Sequence, residues 1–183
     1  MSNNIPRPIA EILPIAERLQ TELAPFCHRI ELGGSLRRRR PLVRDIELVA
    51  IARQEMTPPS IGIADSDLFP SPSIENLLWW KLNRMNVDYK KKGEKYRQFF
   101  YQEICVDLFT ASAGNWGWIY AIRTGSADFS HHLATALNKA GYTSREGWIT
   151  RIDDPLQEPI QTMTEQDVFN LAGIPYREPN QRE

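Results

Sequence analysis

The feature that most constrains the fold is an eight-residue segment, Asp45 to Ala52, in which two carboxylates alternate with apolar residues. Such alternation is typical of a β-strand, because successive side chains point to opposite faces of a sheet. Asp45 and Glu47 would then share one face, while Ile46 and Leu48 would pack into a core. Two neighbouring acids on one face are unfavourable unless a cation neutralises them. The segment therefore predicts a central strand that carries a metal site.

A Gly-Ser turn with a basic pair precedes this strand, in the run from Gly33 to Arg38. The backbone N–H groups of Gly34 and Ser35, the Ser35 hydroxyl and the Arg38 guanidinium are suited to hold the β- and γ-phosphates of a nucleotide. A third acid, Asp107, lies in a later apolar run and would complete a two-metal centre. Asp107 is also the candidate general base for an attacking hydroxyl. The pattern indicates metal-assisted phosphoryl or nucleotidyl transfer.

The cysteines and histidines point to the class of metal by exclusion. None of them has the spacing of a zinc site; they are Cys27, Cys105, His28, His131 and His132. A metal in this chain would therefore be held by oxygen ligands, which favours Mg²⁺, with Mn²⁺ as a substitute.

Composition and charge limit the classes of partner that the chain could bind. The chain has 183 residues and a net charge of -1, which argues against a generic nucleic-acid coat. It has neither an apolar run long enough to cross a membrane nor a recognisable signal peptide, so a cytoplasmic protein without a membrane partner is expected. Local basic residues are nevertheless candidates for DNA contacts, namely Lys90, Lys92, Lys95 and Arg145. Solvated surface charge is an equally good interpretation of the lysine cluster alone.

Periodicity and turn residues predict an α+β chain with a mixed sheet and flanking helices. Helices are expected over 8–24, with Pro14 causing a kink or a late start, and over 74–86, 114–122 and 128–140, and a short helical turn over 37–40. Strands are expected over 28–32, 45–52, 87–92, 95–102 and 103–110, and a hairpin over 142–152. The interval 54–74 is expected to be a loop. A capping box at Thr164 and Asp167 predicts a last helix, and a soft boundary is expected near 111–113.

Taken together, these motifs resemble the palm of the family X DNA polymerases, the DNA polymerase beta-like group. The palm-like motifs are Gly34-Ser35-Leu36-Arg37-Arg38, Asp45-Ile46-Glu47 and Val106-Asp107-Leu108. The resemblance continues through Thr124-Gly125-Ser126 and ends in Glu165-Gln166-Asp167-Val168-Phe169 and Pro175-Tyr176-Arg177-Glu178-Pro179.

The resemblance implies a nucleotidyltransferase palm over 1–110 and a small α+β, nucleotide-selecting thumb over 111–183. It also implies a DNA-directed DNA polymerase that adds dNTPs to a primer 3′ end or a short gap, as a monomer, in DNA repair. The implied catalytic and metal-binding residues are Asp45, Glu47 and Asp107. The implied nucleotide-binding residues are Gly34, Ser35, Arg38, Thr124, Gly125 and Ser126.

The chain departs from the family pattern in three places. Glu47 stands where these polymerases usually have aspartate, and Ile122-Arg123 stands where they usually have two aromatic residues against the sugar. Ala127, Ser130 and Ala134 stand where polar or basic residues normally contact the incoming base and the minor groove. Two alternative functions also remain open. One alternative is a template-independent nucleotidyltransferase that acts on a small molecule, a protein or an RNA end. The other is a DNA-binding scaffold without catalysis, against which the three intact acids count.

Overall fold

A computed structural model of the chain describes residues 5–57 and 73–183. The α-helices within these residues are α1 (Ile9–Leu23), α2 (Gly34–Arg37), α3 (Leu77–Arg84), α4 (Trp116–Thr124), α5 (Ala127–Lys139) and α6 (Glu165–Ala172). The strands are β1 (Arg7–Pro8), β2 (Cys27–Leu32), β3 (Leu42–Val43), β4 (Asp45–Ala52), β5 (Gln54–Thr57), β6 (Ser73–Asn76), β7 (Asp88–Lys92), β8 (Tyr96–Tyr101), β9 (Ile104–Thr110), β10 (Tyr142–Arg145) and β11 (Trp148–Arg151). The predicted α+β class is confirmed.

A mixed five-stranded sheet in the order β2-β4-β9-β8-β7 forms the centre of the molecule. Strands β4 and β9 run parallel, whereas the other neighbouring pairs are antiparallel. The predicted strand 45–52 is β4 itself, and it is flanked on both sides. A central position of this kind buries one face of the strand completely: Ile46, Leu48 and Ala50 are each 0% exposed.

Helices α1 and α3 cover the buried face of this sheet. Their apolar sides contribute Ile12, Leu19 and Leu82 to a core that also contains Phe99 of β8. Helix α1 begins at Ile9 and contains Pro14. The expected late start is therefore wrong, because the helix already extends five residues before the proline.

The chain after β9 forms a second apolar cluster around α4, α5, α6 and the β10–β11 hairpin. Ser126 accepts a hydrogen bond from the backbone N–H of Phe129 and so begins α5. Thr164 and Asp167 form the predicted capping box at the start of α6. Helix α4 packs against the carboxylate-bearing face of β4, opposite the main core, where Val49 contacts Trp116 and Tyr120.

Three local predictions need correction. The interval 54–74 is not entirely a loop, because β5 pairs with β6 in an antiparallel hairpin; its middle, 58–72, lies outside the described residues. The helix expected from 74 begins at Leu77, since the Asn76 side chain accepts from the N–H of Trp79 and caps it there. The short helical turn expected over 37–40 is α2, which begins three residues earlier and ends at Arg37.

No helix in the described ranges, 5–57 and 73–183, is both long and apolar enough to cross a membrane.

Candidate active site

The Gly-Ser turn packs directly against the acidic strand. The N–H of Gly33 donates to the backbone oxygen of Glu47 at 2.8 Å. Gly34 has φ +53°, and a Cβ at that position would lie 1.5 Å from Oε2 of Glu47. Both the left-handed backbone and the contact with the carboxylate require glycine. The turn therefore brings α2 against the carboxylate face of β4.

The three acids meet because β4 and β9 are parallel neighbours. Glu47 is in register with Asp107, and Asp45 is in register with Cys105. Since residues two apart share a face, Asp45, Glu47 and Asp107 all lie on the face opposite the main core. The structure thus brings together the three predicted catalytic residues.

The electrostatics of the carboxylates reflect this crowding. Burial, followed by repulsion from Asp45 and Asp107, raises the pKa of Glu47 to about 7. Burial and the charge of Asp107 also raise the pKa of Asp45, although Arg44 opposes the shift. Ionising all three groups together is therefore unfavourable without a compensating cation.

Two side chains on β8 hold Asp107 from one side. The Tyr96 hydroxyl donates to Oδ1 of Asp107 at 2.5 Å, and Nε2 of Gln98 donates to the same oxygen at 2.8 Å. The Tyr96 ring stacks on Phe109, with ring centres 4.8 Å apart. Burial and the Asp107 hydrogen bond both raise the pKa of Tyr96, so it remains a donor. Oδ1 is fixed by these bonds.

The donor set fits a divalent cation that prefers oxygen, since three carboxylates converge from adjacent strands. Across residues 5–57 and 73–183, however, no group of three or more His, Cys, Asp or Glu side chains is arranged so as to hold a metal ion. Glu47 is turned toward Gly34, and Asp107 toward Tyr96 and Gln98. The residue types fit Mg²⁺, and side-chain rotations would be needed to close the ligand set.

A cavity of about 640 Å³ lies on the Ser35 side of Glu47. Its polar lining includes Ser35, Arg38, Arg40, Arg44, Asp45, Glu47, Gly125 and Ser126. The Ser35 hydroxyl is buried and has no hydrogen-bond partner among the described residues. Three arginines and an unsatisfied hydroxyl are suited to an anion, and two of these arginines, Arg38 and Arg40, already face the Glu183 carboxylate at 3.7 and 3.1 Å. We call this space the phosphate cavity.

The predicted nucleotide-binding residues occupy three different places in the structure. Gly34 contacts Glu47, while Ser35, Arg38, Gly125 and Ser126 line the phosphate cavity. Thr124 instead is 0% exposed, and its hydroxyl accepts from Nη1 of Arg37 at 2.6 Å. Its backbone oxygen accepts from Nη1 of Arg38. Thr124, the last residue of α4, therefore connects this helix to Arg37 and Arg38 at the end of α2.

A second cavity, of about 530 Å³, lies on the other side of Glu47, and we call it the β8 cavity. Its lining includes Glu47, Lys95, Tyr96, Asp107, Phe109, Arg123 and Glu146. Glu47 lines both cavities, so the acidic centre lies between them.

The four predicted DNA-contacting residues are dispersed. Lys95 lines the β8 cavity and donates to the backbone oxygen of Glu146 at 3.1 Å. Lys90 lies over the Phe100 ring, whereas Lys92 lies over Tyr89, which packs against the main core. Arg145 lies on the β10–β11 hairpin, and its Nη1 donates to Oε1 of Gln157 at 2.5 Å. Of the four, only Lys95 lines either of the two cavities.

Sequence reasoning missed Tyr96, Gln98 and Arg123 as members of the site. Gln98 faces Asp107 because a two-residue turn at Gln102–Glu103 sets the register of β8 and β9. Both turn residues have positive φ, 48° and 64°. The Asn-Gly or Asp-Gly pair that normally marks such a turn is absent here. The position of this turn, and with it the register that places Gln98 opposite Asp107, therefore had no clear signal in the sequence.

Comparison with known proteins bears on both halves of the chain. Residues 120–183 match the family model of the DNA polymerase beta thumb. No curated protein matches the chain. Among solved structures, the chain is similar to Leishmania infantum polymerase beta in a ternary P/T complex, with a TM-score of 0.72 and 17% identity over 98% of this chain and 77% of that one. The resemblance to the family X polymerases is confirmed for the fold and for a thumb of the polymerase beta type.

Proposed function

We propose that this chain is a DNA-directed DNA polymerase that adds deoxynucleotides to a primer 3′ end or fills a short gap. The observation that carries the proposal is the convergence of Asp45, Glu47 and Asp107 between two cavities, one of which has the lining of an anion site. The polymerase beta-type thumb and the fold match support a polymerase over other nucleotidyltransferases. Its substrates would be a dNTP and a primer–template or gapped DNA, and it would act as a monomer in DNA repair.

Asp45, Glu47 and Asp107 are the residues that would hold divalent metal ions, Mg²⁺ above all. When bound, such ions lower the pKa of an attacking hydroxyl and neutralise charge that develops on the phosphates. The raised pKa of Glu47 fits this role, because neighbouring acids that repel one another gain most from a cation.

Side chains of the protein would bind the phosphates and accept the proton of the primer hydroxyl. Ser35 and Arg38 would bind phosphate oxygens in the phosphate cavity and hold the triphosphate in line. Asp107 receives both of its described hydrogen bonds at Oδ1, so Oδ2 is the oxygen left to accept the proton of the primer hydroxyl. The O–H bond of the primer breaks as its oxygen bonds to the α-phosphorus, and pyrophosphate leaves with the electron pair of the broken P–O bond.

A single-nucleotide gap-filling assay with each dNTP and rNTP tests the proposal. The wild type should insert the templated dNTP in the presence of Mg²⁺, and Asp107→Ala should abolish insertion. Asp153→Ala is the control, because Asp153 is an exposed acid paired with Arg151 on the hairpin side of the molecule. A folded wild type that binds DNA and dNTP but extends no primer would refute the polymerase function. Insertion that ignores the template base would instead favour the template-independent alternative.

A further inference from the structure

The β8 cavity contains a cation that the sequence-predicted site does not include. Arg123 is the penultimate residue of α4, and its guanidinium carbon lies 4.0 Å from the centre of the Phe109 ring. Stacking on a ring face occupies the flat side of a guanidinium and leaves its N–H edge available. The group is therefore held in place without its donors being used.

Arg123 differs in this respect from the arginines around it. Arg37 donates to Thr124 and Glu165, and Arg38 donates to the Thr124 backbone. For Arg123, no described residue accepts a hydrogen bond or forms an ion pair, and its buried Nε has no partner. A guanidinium has five N–H donors, and a buried donor without an acceptor is unfavourable. A ligand that supplies oxygen acceptors would remove this penalty.

The surroundings of Arg123 specify the class of that ligand. Arg123 lines the same cavity as Glu47 and Asp107. Its charge opposes the rise in the pKa of Glu47, yet it forms no ion pair with either carboxylate among the described residues. The other cation of the cavity, Lys95, already donates to the Glu146 backbone. Because Glu47 and Asp107 line this cavity together with Arg123, a substrate bound at the acidic centre would lie beside the guanidinium. An oxyanion that offers two neighbouring oxygens matches the fork of the guanidinium, and a phosphate group offers them.

We propose that Arg123 binds a phosphate oxygen of the substrate in the β8 cavity. The proposal rests on the proposed function, because it takes the three-acid centre as the place of reaction. The phosphate belongs either to the incoming nucleotide or to the last phosphodiester of the primer, and both offer the same chemistry to the guanidinium.

Equilibrium binding separates these sources without catalysis. The full chain is titrated with Mg²⁺ and three probes: inorganic triphosphate, a dNTP on a primer that ends in a dideoxynucleotide, and the same DNA alone. Arg123→Met retains an apolar side chain over Phe109 and removes the charge, and Arg123→Lys retains the charge without the planar fork. Arg84→Met is the matched control, because Arg84 also stacks on a ring, Trp80 at 4.8 Å, but is exposed on α3 away from both cavities.

Arg123→Met should weaken binding of at least one probe by about 10- to 100-fold, as expected for a lost charge-assisted hydrogen bond. Arg123→Lys should be intermediate, and Arg84→Met should bind like the wild type. Weakened triphosphate and dNTP binding identifies the nucleotide as the source. Weakened DNA binding, with a salt-dependence slope lower by about 0.9, identifies the primer.

Unchanged binding of all three probes by folded Arg123→Met would overturn the proposal, whether or not the wild type is a polymerase. An equal loss in Arg84→Met would overturn it as well. By contrast, a wild type that binds triphosphate through Arg123 but extends no primer would refute the polymerase function alone.

Discussion

Arg37, at the end of α2, and Glu165, at the start of α6, form a bidentate ion pair. Nη1 and Nη2 of Arg37 lie 2.7 and 2.6 Å from Oε1 and Oε2 of Glu165. Arg182, which is 0% exposed, donates to the same carboxylate at 2.5 Å. Burial alone would raise the pKa of Glu165, but the hydrogen bonds from Arg37 and Arg182 lower it below its ordinary value. One carboxylate thus compensates two cations and fixes α2 relative to α6.

We predict that Glu165→Ala destabilises the protein by about 3–5 kcal/mol, because it leaves buried positive charge without a partner. The measurement is the free energy of unfolding from urea denaturation. Glu11→Ala is the control, since Glu11 forms an exposed ion pair with Arg7, and such pairs contribute about 0–1 kcal/mol. Equal, small changes for both variants would show that the Arg37–Glu165–Arg182 group does not stabilise the fold.

Gly34 should tolerate no side chain, since it meets the Glu47 carboxylate. We predict that Gly34→Ala abolishes metal-dependent activity, because the added methyl group would displace Glu47. Gly173→Ala is the matched control: it also has a positive φ, +65°, but open space around the added carbon. Both variants should lose about 1–3 kcal/mol from backbone strain, measured by thermal unfolding, whereas only Gly34→Ala should lose primer extension. An active Gly34→Ala enzyme would contradict the role given to this contact.

The sequence predicted the strand, the turn and the three acids because each depends on local pattern. Alternation in β4 determines which face each carboxylate occupies, so Asp45 and Glu47 could be assigned together before the partner strands were known. Asp107 could be assigned because apolar neighbours flank it on both sides. A period of two is a strong signal wherever one face of a strand is fully buried.

Contacts between distant segments could not be predicted in this way. The Arg37–Glu165 pair joins residues 128 positions apart, and no periodicity connects them. Lys90 and Lys92, two residues apart, lie over different aromatic rings, Phe100 and Tyr89, and the strand has a register shift after Tyr89. Such irregularities of a strand depend on the packing of the whole sheet.

The raised pKa of Glu47 predicts a specific dependence on pH. Without metal, the Glu47 carboxyl has a pKa of about 7 in the folded protein and 4.5 in the unfolded chain. Between these two pH values the folded state binds more protons than the unfolded state, so the contribution of Glu47 to stability falls as the pH rises from 4.5 to about 7. Metal binding requires the ionised form, so apparent Mg²⁺ affinity should be about tenfold higher at pH 8 than at pH 6. Thermal unfolding with and without Mg²⁺ at the two values measures this.

Glu47→Gln is the control for that titration, because the amide has no proton to release. Without metal, the free energy of unfolding of Glu47→Gln should therefore fall less than that of the wild type as the pH rises from 4.5 to about 7. A wild-type Mg²⁺ affinity that is the same at pH 6 and pH 8 would contradict the assignment of Glu47 as a metal ligand with a pKa of about 7.

The hydrogen bond from Tyr96 to Asp107 should matter for activity more than for stability. Tyr96→Phe keeps the ring that stacks on Phe109 and removes only the donor to Oδ1. Gln98 would then hold the carboxylate alone, and loss of a supporting hydrogen bond to a metal ligand typically costs about 10- to 100-fold in metal affinity or activity. We therefore expect a higher Mg²⁺ requirement and slower primer extension, with little change in the unfolding midpoint.

Tyr101→Phe provides the comparison, because its hydroxyl also donates to a carboxylate, that of Glu22, at 3.3 Å and away from the acidic centre. It should leave the Mg²⁺ requirement unchanged. If Tyr96→Phe behaves like Tyr101→Phe, then Gln98 is sufficient to orient Asp107, and Tyr96 contributes through its stack alone. If Tyr96→Phe instead raises activity, the Tyr96 bond competes with the metal for Asp107 rather than preparing it, since both draw on the same carboxylate.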